Sequence, residues 1–255
     1  MSDRQSHIRV RNLKLDFTVY SNRTLSLREV ILNPFMARGS QKQSFSAVND
    51  VTLNIEHGER VALIGANGAG KSSLLKIIAG VYPPSSGTLD INGKITPLIE
   101  MGAGFHPELT GRENLFLNGA ILGFSRKEMQ ARLQNIIEFS EIPLHFLDTS
   151  IKYYSSGMQT RLAFSLAMEL APEIVIFDEI FAAGDAHFVD KASSRMEQLI
   201  SAAHIMILVT HDLKLARRFA SRCVWMQKGA VIKDGPAAEV LPEYERTMLQ
   251  AEPKS

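Results

Sequence analysis

The sequence predicts an α/β fold with a mixed, mainly parallel sheet, to which an antiparallel β subdomain and a helical subdomain are added. Two observations carry this prediction. In the second half of the chain, short apolar runs alternate with segments of helical periodicity, an order typical of a parallel sheet covered by helices. In the first half, a glycine-rich loop directly follows an apolar run and opens a helix, the arrangement of a P-loop nucleotide-binding core.

The beginning of the chain is predicted to be mainly β-structure. Apolar and polar residues alternate from Ile8 to Val19 and again from Val48 to Ile55, which is the period of half-buried strands. Between these strands, from Tyr20 to Ser46, proline, glycine and polar residues break the pattern, and we expect a surface insertion. The segment from Arg60 to Ile64, apolar after its first residue, predicts a short buried strand that leads into the glycine-rich loop.

The next segments predict a turn and then helices. Asn92-Gly93 lies between strand-like runs from Thr88 to Leu98, which predicts a β-hairpin. From Arg112 to Phe139 apolar residues recur at helical intervals, and Ser125 is a suitable N-cap between two helices.

The remaining elements follow in alternation. We expect a helix at 157–170, a strand at 174–177, a helix at 188–201, a strand at 205–209, a strand pair from 223 and a final helix at 237–249. The whole chain, residues 1–255, is expected to form one domain. Residues 1–98 and 159–255 would build the nucleotide-binding core and β subdomain, and residues 99–158 the helical subdomain.

Composition excludes several classes of function. The chain has 255 residues, with 28 Lys and Arg against 27 Asp and Glu, so its formal charge is +1 and we expect no nucleic-acid partner. A single cysteine, Cys223, excludes an internal disulfide. The longest apolar stretch, 162–177, is interrupted by charged residues and proline, so we expect no membrane span and no secretory signal.

The glycine-rich loop matches the phosphate-binding pattern G-x-x-x-x-G-K-[ST]. Its glycines allow backbone N–H groups to curl around a phosphate, and the helix that follows adds its positive N-terminus. Lys71 would reach the β- and γ-phosphates of ATP, and the Ser72 hydroxyl would ligate Mg²⁺. The predicted nucleotide-binding residues are Gly65, Ala66, Asn67, Gly68, Ala69, Gly70, Lys71, Ser72 and Ser73.

Two later strands end in residues that suit nucleotide hydrolysis. Asp178 and Glu179 follow the strand 174–177, and ligands lie at the carboxyl ends of strands in a parallel sheet. Asp178 is predicted to hold Mg²⁺, and Glu179 to polarise the attacking water. His211 follows the next strand and is predicted to contact the γ-phosphate. A solvated acidic pair and a structural histidine are the alternatives.

The segment from Tyr154 to Gln159 opens a helix with small residues, and here the chain resembles the ATP-binding-cassette family, whose signature is typically Leu-Ser-Gly-Gly-Gln. Tyr154 stands where the family has Leu, whereas Ser155 and Gly157 match. The resemblance implies a head-to-tail dimer with a second copy of the chain, in which the phosphate loop of one copy and Ser155 and Gly157 of the other hold each ATP.

The run from Ile99 to Asn114, the insertion and Tyr154-Ser155-Ser156-Gly157-Met158 resemble one branch of this family, the ATPases that export O-antigen, capsule or teichoic acid. In most of the family a glutamine contacts Mg²⁺ near position 100, and Glu100 is the nearest polar substitute here. The resemblance also implies an aromatic residue that stacks on adenine before the Val48 strand. Phe45 is the candidate, with an ordinary core residue as the alternative.

The resemblance implies an ATPase subunit that powers export of a polysaccharide or lipid-linked glycan. Its partners would be integral-membrane permease subunits, and its place the cytoplasmic face of the inner membrane. Two alternatives stay open: an ATPase subunit for another cargo, such as a lipid or a drug, and a cassette ATPase without a transport role. Two cassettes in one chain or a strongly basic face would favour the latter, and neither is visible in the sequence.

Overall fold

The structure, a computed structural model, describes residues 5–21, 41–98, 104–169, 173–178 and 186–251. The strands within these ranges are β1 (His7–Ser21), β2 (Gln41–Glu56), β3 (Arg60–Ile64), β4 (Ser86–Asn92), β5 (Ile95–Leu98), β6 (Ile174–Asp178), β7 (Ile205–Val209), β8 (Arg222–Gln227) and β9 (Ala230–Pro236). The helices are α1 (Lys71–Ile78), α2 (Gly111–Ile121), α3 (Arg126–Ser140), α4 (Leu144–Leu147), α5 (Ser156–Glu169), α6 (Ala186–Ala202), α7 (Leu213–Phe219) and α8 (Ala237–Ala251), with a 3₁₀ turn at Ile151–Tyr153.

The described strands form two sheets. One sheet has the order β2-β1-β4 and is antiparallel. The other has the order β5-β6-β7-β3-β8-β9, and its strands are parallel except β9, which pairs antiparallel with β8. The predicted combination of a mainly parallel sheet with an antiparallel β subdomain is therefore confirmed.

The central strands of the mainly parallel sheet, β3, β6, β7 and β8, are mostly buried on both faces, and successive side chains of a strand point to opposite faces. Val61 and Leu63 of β3 point to one face, where α1 and the antiparallel sheet cover them. Ala62 and Ile64 point to the opposite face, where residues from α5, α6, α7 and α8 pack. Because α1 is held between the two sheets, its first turn has a defined position beside the loop that precedes it.

A third apolar cluster forms the core of the predicted helical subdomain, with residues from α2, α3, α4 and α5. The helix starts are specified by local chemistry. Ser125 caps α3 in a reciprocal pair with Glu128, as predicted, and Thr110 caps α2 in the same way with Glu113. Such caps satisfy backbone N–H groups that would otherwise have no partner. Helix α5 contributes to this cluster and also to the core of the mainly parallel sheet.

The predicted hairpin at 88–98 is wrong. β4 pairs with β1 in the antiparallel sheet, whereas β5 pairs in parallel with β6 in the other sheet. Asn92-Gly93 therefore marks the point where the chain passes between sheets. Gly93 has φ +128°, and Asn92 donates through its side-chain amide to the carbonyl of Gln5 at 3.0 Å. A turn signal identifies a change of direction but not the partner of the next strand, which long-range packing decides.

The predicted limits of the insertion, Tyr20 to Ser46, are also wrong. Tyr20 pairs with Lys42 and Ser21 pairs with Gln41, so both ends of this segment belong to a long antiparallel ribbon of β1 and β2. The sequence of this segment has no strand-like alternation of apolar and polar residues, so its pattern did not reveal these strand ends. Residues 22–40 lie outside the described part of the chain.

Among the described helices, none is long and apolar enough to cross a membrane.

Candidate functional site

The glycine-rich loop lies between the end of β3 at Ile64 and the start of α1 at Lys71. Two of its glycines are required by the surrounding backbone. A Cβ atom on Gly65 would lie 2.2 Å from the carbonyl oxygen of Met226, and one on Gly70 would lie 2.3 Å from that of Ala47. Gly70 also has φ +98°, which residues with a side chain rarely adopt. The loop is thus held closely between β2 and β8.

The side chain of Lys71 lies inside this loop. It is 6% exposed, and its Nζ donates hydrogen bonds to the carbonyl oxygens of Gly65 at 2.7 Å and Ala66 at 3.1 Å. These contacts direct the ammonium group back over the loop, so a positive charge lies beside the backbone N–H groups of the first turn of α1. The combination of a helix N-terminus and a fixed cation favours a bound phosphate.

A cavity of about 540 Å³ opens beside the loop. It is lined by residues from β2, the loop, the first turn of α1 and the end of β6: Phe45, Ser46, Ala47, Asn67, Gly68, Ala69, Gly70, Lys71, Ser72, Ser73 and Asp178. The structure therefore brings most of the predicted nucleotide-binding residues together with the predicted magnesium ligand Asp178. Sequence reasoning missed Ser46 and Ala47, which reach the cavity because β2 passes alongside the loop.

The residues of this cavity fit a magnesium–nucleotide complex. Ser72 and Asp178 both line it, and hydroxyl and carboxylate oxygens are donors that Mg²⁺ prefers. Among the described residues, no group of three or more His, Cys, Asp and Glu side chains is placed to hold a metal ion. Magnesium in nucleotide sites needs only one or two protein ligands, since phosphates and waters supply the others.

His211 lies at the same edge of the mainly parallel sheet. In the register of the sheet Asp178 pairs with Val209, and Val209 also pairs with Leu63 of β3. The carboxyl ends of β6, β7 and β3 are therefore adjacent, and His211 follows β7 by two residues. His211 is exposed and is not among the residues that line the cavity.

Phe45 projects from β2 at one side of the cavity and is 55% exposed, so it is not a core residue. The ring of Phe17, its partner on β1, stacks on it with a centroid distance of 5.4 Å and an interplanar angle of 28°. Tyr82 packs edge-on against Phe17 at 5.8 Å. Sequence reasoning missed Phe17 and Tyr82, because the register of β1 against β2 decides which aromatic residues meet.

The predicted signature residues Ser155 and Gly157 are on a different part of the surface. Both are exposed, at the start of α5, and neither is among the residues that line the cavity. Ser155 accepts a hydrogen bond through its Oγ from the N–H of Met158 at 3.2 Å. A Cβ atom on Gly157 would meet one atom within 4 Å, the Oγ of Ser155 at 3.9 Å. Packing within the described chain therefore does not require glycine at this position.

Two predicted site residues, Glu100 and Glu179, lie outside the described residues.

A buried strand, a glycine loop with a lysine folded over it, a helix N-terminus and a neighbouring acidic strand end define a P-loop nucleotide-binding protein. Residues 48–182 match the family model for the ABC transporter. The chain belongs to this family, as the resemblance predicted.

Curated relatives extend this comparison. The chain is 36% identical over 238 residues to the O-antigen export system ATP-binding protein RfbB of Klebsiella pneumoniae, covering 93% of this chain and 96% of that protein. It is 44% identical over 210 residues to RfbB of Myxococcus xanthus, covering 82% of this chain but 48% of that protein. It is 30% identical over 248 residues to the teichoic acids export ATP-binding protein TagH of Staphylococcus haemolyticus, covering 97% and 91%.

Solved structures share the fold. The ATP-binding subunit of an ABC transporter superposes with a TM-score of 0.69 at 26% identity, covering 93% of each chain. A dimeric ATP-binding cassette bound to ADP and Pi superposes with a TM-score of 0.69 at 22% identity, covering 90% of this chain and 98% of that one. The predicted P-loop fold with added β and helical subdomains is confirmed.

Proposed function

We propose that this chain is the ATP-binding and hydrolysing subunit of an exporter for a polysaccharide or lipid-linked glycan. The observation that carries the nucleotide part is the cavity in which Phe45, the phosphate loop and Asp178 come together. The export part is supported by relatives of nearly full-length overlap whose names specify O-antigen or teichoic acid export.

Different residues of the cavity contact different parts of ATP. The exposed face of Phe45 stacks on the base, and the loop N–H groups with Lys71 hold the phosphates. Ser72 and Asp178 would hold Mg²⁺, which neutralises phosphate charge when it is bound. Glu179 would orient and polarise the attacking water, and His211 at the end of β7 would contact the γ-phosphate. Glu100 is kept as a further candidate near the metal.

The site is proposed to be completed by a second copy of the chain. Ser155 and Gly157 are exposed at a helix start, away from the cavity of their own chain, and N–H groups at a helix start bind anions. The glycine at 157 has no packing reason within the described chain, but it would leave room for the γ-phosphate held by a facing copy. Closure on ATP and opening after hydrolysis would then drive the permease.

The nucleotide part is tested with Glu179→Gln. This variant should bind ATP as tightly as the parent chain, lose turnover, and accumulate as an ATP-bound dimer, measured by phosphate release and analytical ultracentrifugation. Lys71→Ala is the matched variant that should lose nucleotide affinity instead. Normal hydrolysis by Glu179→Gln would remove Glu179 from this role.

The transport part needs a cellular test. The chain should co-purify with an integral-membrane permease at the cytoplasmic face of the inner membrane, and loss of that permease should accumulate undecaprenyl-linked glycan inside the cell. Accumulation of a lipid or an unrelated small solute would instead indicate that the exporter carries another cargo. Stable association with ribosomes or nucleic acid, without a membrane partner, would contradict a transport role.

A further inference from the structure

Tyr154, directly before the signature residue Ser155, is anchored by its hydroxyl group. The side chain is 6% exposed, and its Oη donates a hydrogen bond to the carbonyl oxygen of Phe146 at 2.6 Å. The two rings also pack edge to face, with centroids 5.9 Å apart and planes at 83°. The residue before the signature is thus tied to α4 by a polar and an aromatic contact.

The hydroxyl group of Tyr154 occupies space that is open because residue 111 is a glycine. A Cβ atom on Gly111, at the start of α2, would lie 2.2 Å from the Oη of Tyr154 and 3.1 Å from its Cζ. Gly111 is not among the residues with positive φ, so the glycine is explained by space rather than by backbone conformation. The phenol therefore joins three elements: the beginning of α2, helix α4 and the signature turn.

Tyr154 directly precedes Ser155, the residue that its hydrogen bond would position. The N–H of Tyr154 donates to the carbonyl of Ile151 at 2.9 Å, and the carbonyl of Ser155 accepts from the N–H of Gln159 at 3.0 Å. Ser155 is therefore held between a fixed tyrosine and the first turn of α5. Its own exposed side chain makes the capping contact with the N–H of Met158.

We propose that Tyr154 is a positioning residue for the ATP-sandwich dimer: its hydrogen bond to Phe146 holds the signature turn so that Ser155 and Gly157 meet the γ-phosphate bound by a second copy. This inference rests on the proposed function. Leucine, typical of the family at this position, can fill the same core but cannot make the bond. Burial raises the pKa of Tyr154 to about 12, so the phenol keeps its proton at neutral pH and remains a donor.

The test compares Tyr154→Phe with Tyr153→Phe, both made in the Glu179→Gln chain. Tyr153 is the neighbouring tyrosine and is 66% exposed, so its hydroxyl group serves as the matched control. Two quantities are measured: the Kd for a fluorescent ATP analogue at protein concentrations where the chain is monomeric, and the ATP-dependent dimer Kd by analytical ultracentrifugation. The melting temperature is recorded for each variant.

Tyr154→Phe should raise the dimer Kd by roughly 2- to 10-fold per signature, the range for one lost hydrogen bond, and leave the ATP Kd unchanged. Tyr153→Phe should change neither quantity. Unchanged dimerisation of Tyr154→Phe would overturn the inference. So would a parallel loss of ATP affinity and dimerisation, because that pattern reports general destabilisation. If the Glu179→Gln parent itself forms no ATP-dependent dimer, the proposed pairing fails, and the inference falls with it.

A second set of variants tests the space around the hydroxyl group. Gly111→Ala should lower the melting temperature, because its methyl group would collide with the Oη of Tyr154. Adding Tyr154→Leu removes the colliding atoms and should restore the melting temperature. The double variant should still dimerise more weakly than the parent, since the bond to Phe146 is absent. Full recovery of dimerisation would show that the core contact alone positions the turn and would contradict the inference.

Discussion

The rings of Phe17 and Phe45 stack across the β1–β2 ribbon, 5.4 Å apart between centroids. The two residues are directly opposite in the register of the strands. Because Phe17 covers one face of Phe45, the exposed part of Phe45 is held toward the cavity beside the phosphate loop. A ring restrained in this way loses little conformational freedom when a base stacks on it.

Phe45→Ala is expected to weaken ATP binding by about 1–3 kcal/mol, the usual contribution of base–aromatic stacking. Binding of tripolyphosphate, which has no base, should stay unchanged. Isothermal titration calorimetry measures both affinities. Phe17→Leu should weaken ATP binding less, and should have no further effect in a Phe45→Ala chain. An independent effect of Phe17→Leu in that background would mean that it does not act through Phe45.

Gly157→Ala should leave folding of the monomer intact but prevent formation of the ATP-bound dimer. The added methyl group would meet one atom within 4 Å, the Oγ of Ser155, and alanine is favoured over glycine in a helix by about 0.5–1 kcal/mol. The monomer should therefore be as stable as the parent or slightly more so, with normal ATP affinity. In the Glu179→Gln background the ATP-bound dimer should be lost, as seen by size-exclusion chromatography. A stable dimer would exclude Gly157 from the interface.

Gly70→Ala, unlike Gly157→Ala, should disturb the fold of the monomer itself. The methyl group would be placed 2.3 Å from the carbonyl oxygen of Ala47 at a residue with φ +98°. Left-handed backbone alone costs about 1–2 kcal/mol for a residue with a side chain, and the collision adds to it. We expect a lower free energy of unfolding in urea and weaker ATP binding. Unaltered stability would show that the loop can move away from β2 at little cost.

Ser125→Ala tests the start of α3. Ser125 accepts a hydrogen bond from the N–H of Glu128, whose carboxylate in turn accepts from the N–H of Ser125 at 2.7 Å. Loss of such a cap costs about 1 kcal/mol, measured as a change in the free energy of unfolding. The exposed Gln130, within the same helix, supplies the control: Gln130→Ala should have little effect. ATP affinity should be unchanged in both variants, because α3 is not part of the cavity.

Stability at high pH should depend on Tyr154. Burial raises its pKa from 10.0 to about 12, with a smaller contribution from the charge of Asp148. The unfolded chain therefore loses this proton at lower pH than the folded one, so the associated stability is present below pH 10 and is lost as the pH rises toward 12. Between pH 10 and pH 12, the melting temperature of Tyr154→Phe should fall less steeply with rising pH than that of the parent chain. Burial also raises the pKa of Tyr244, so some alkaline dependence should persist.

The local features of this protein were predictable because their causes are local. The phosphate loop is specified by glycines, a lysine and a serine within a few residues, and Ser125 caps α3 through a partner three residues away. Periodicity located most helices and the strands of the mainly parallel sheet, where burial on both faces requires apolar side chains. The family followed from the order of these local motifs along the chain.

The sequence by itself thus determined the class of fold, the phosphate-binding loop and the family, since each depends on residues close together in the chain. The tertiary structure alone decided which strand β5 joins, which ring backs Phe45, and which carbonyl accepts the hydroxyl of Tyr154. These outcomes depend on strand register and on the packing of elements that are distant in sequence. A turn signal or an isolated aromatic residue does not specify its partner, because many partners satisfy the same local preference.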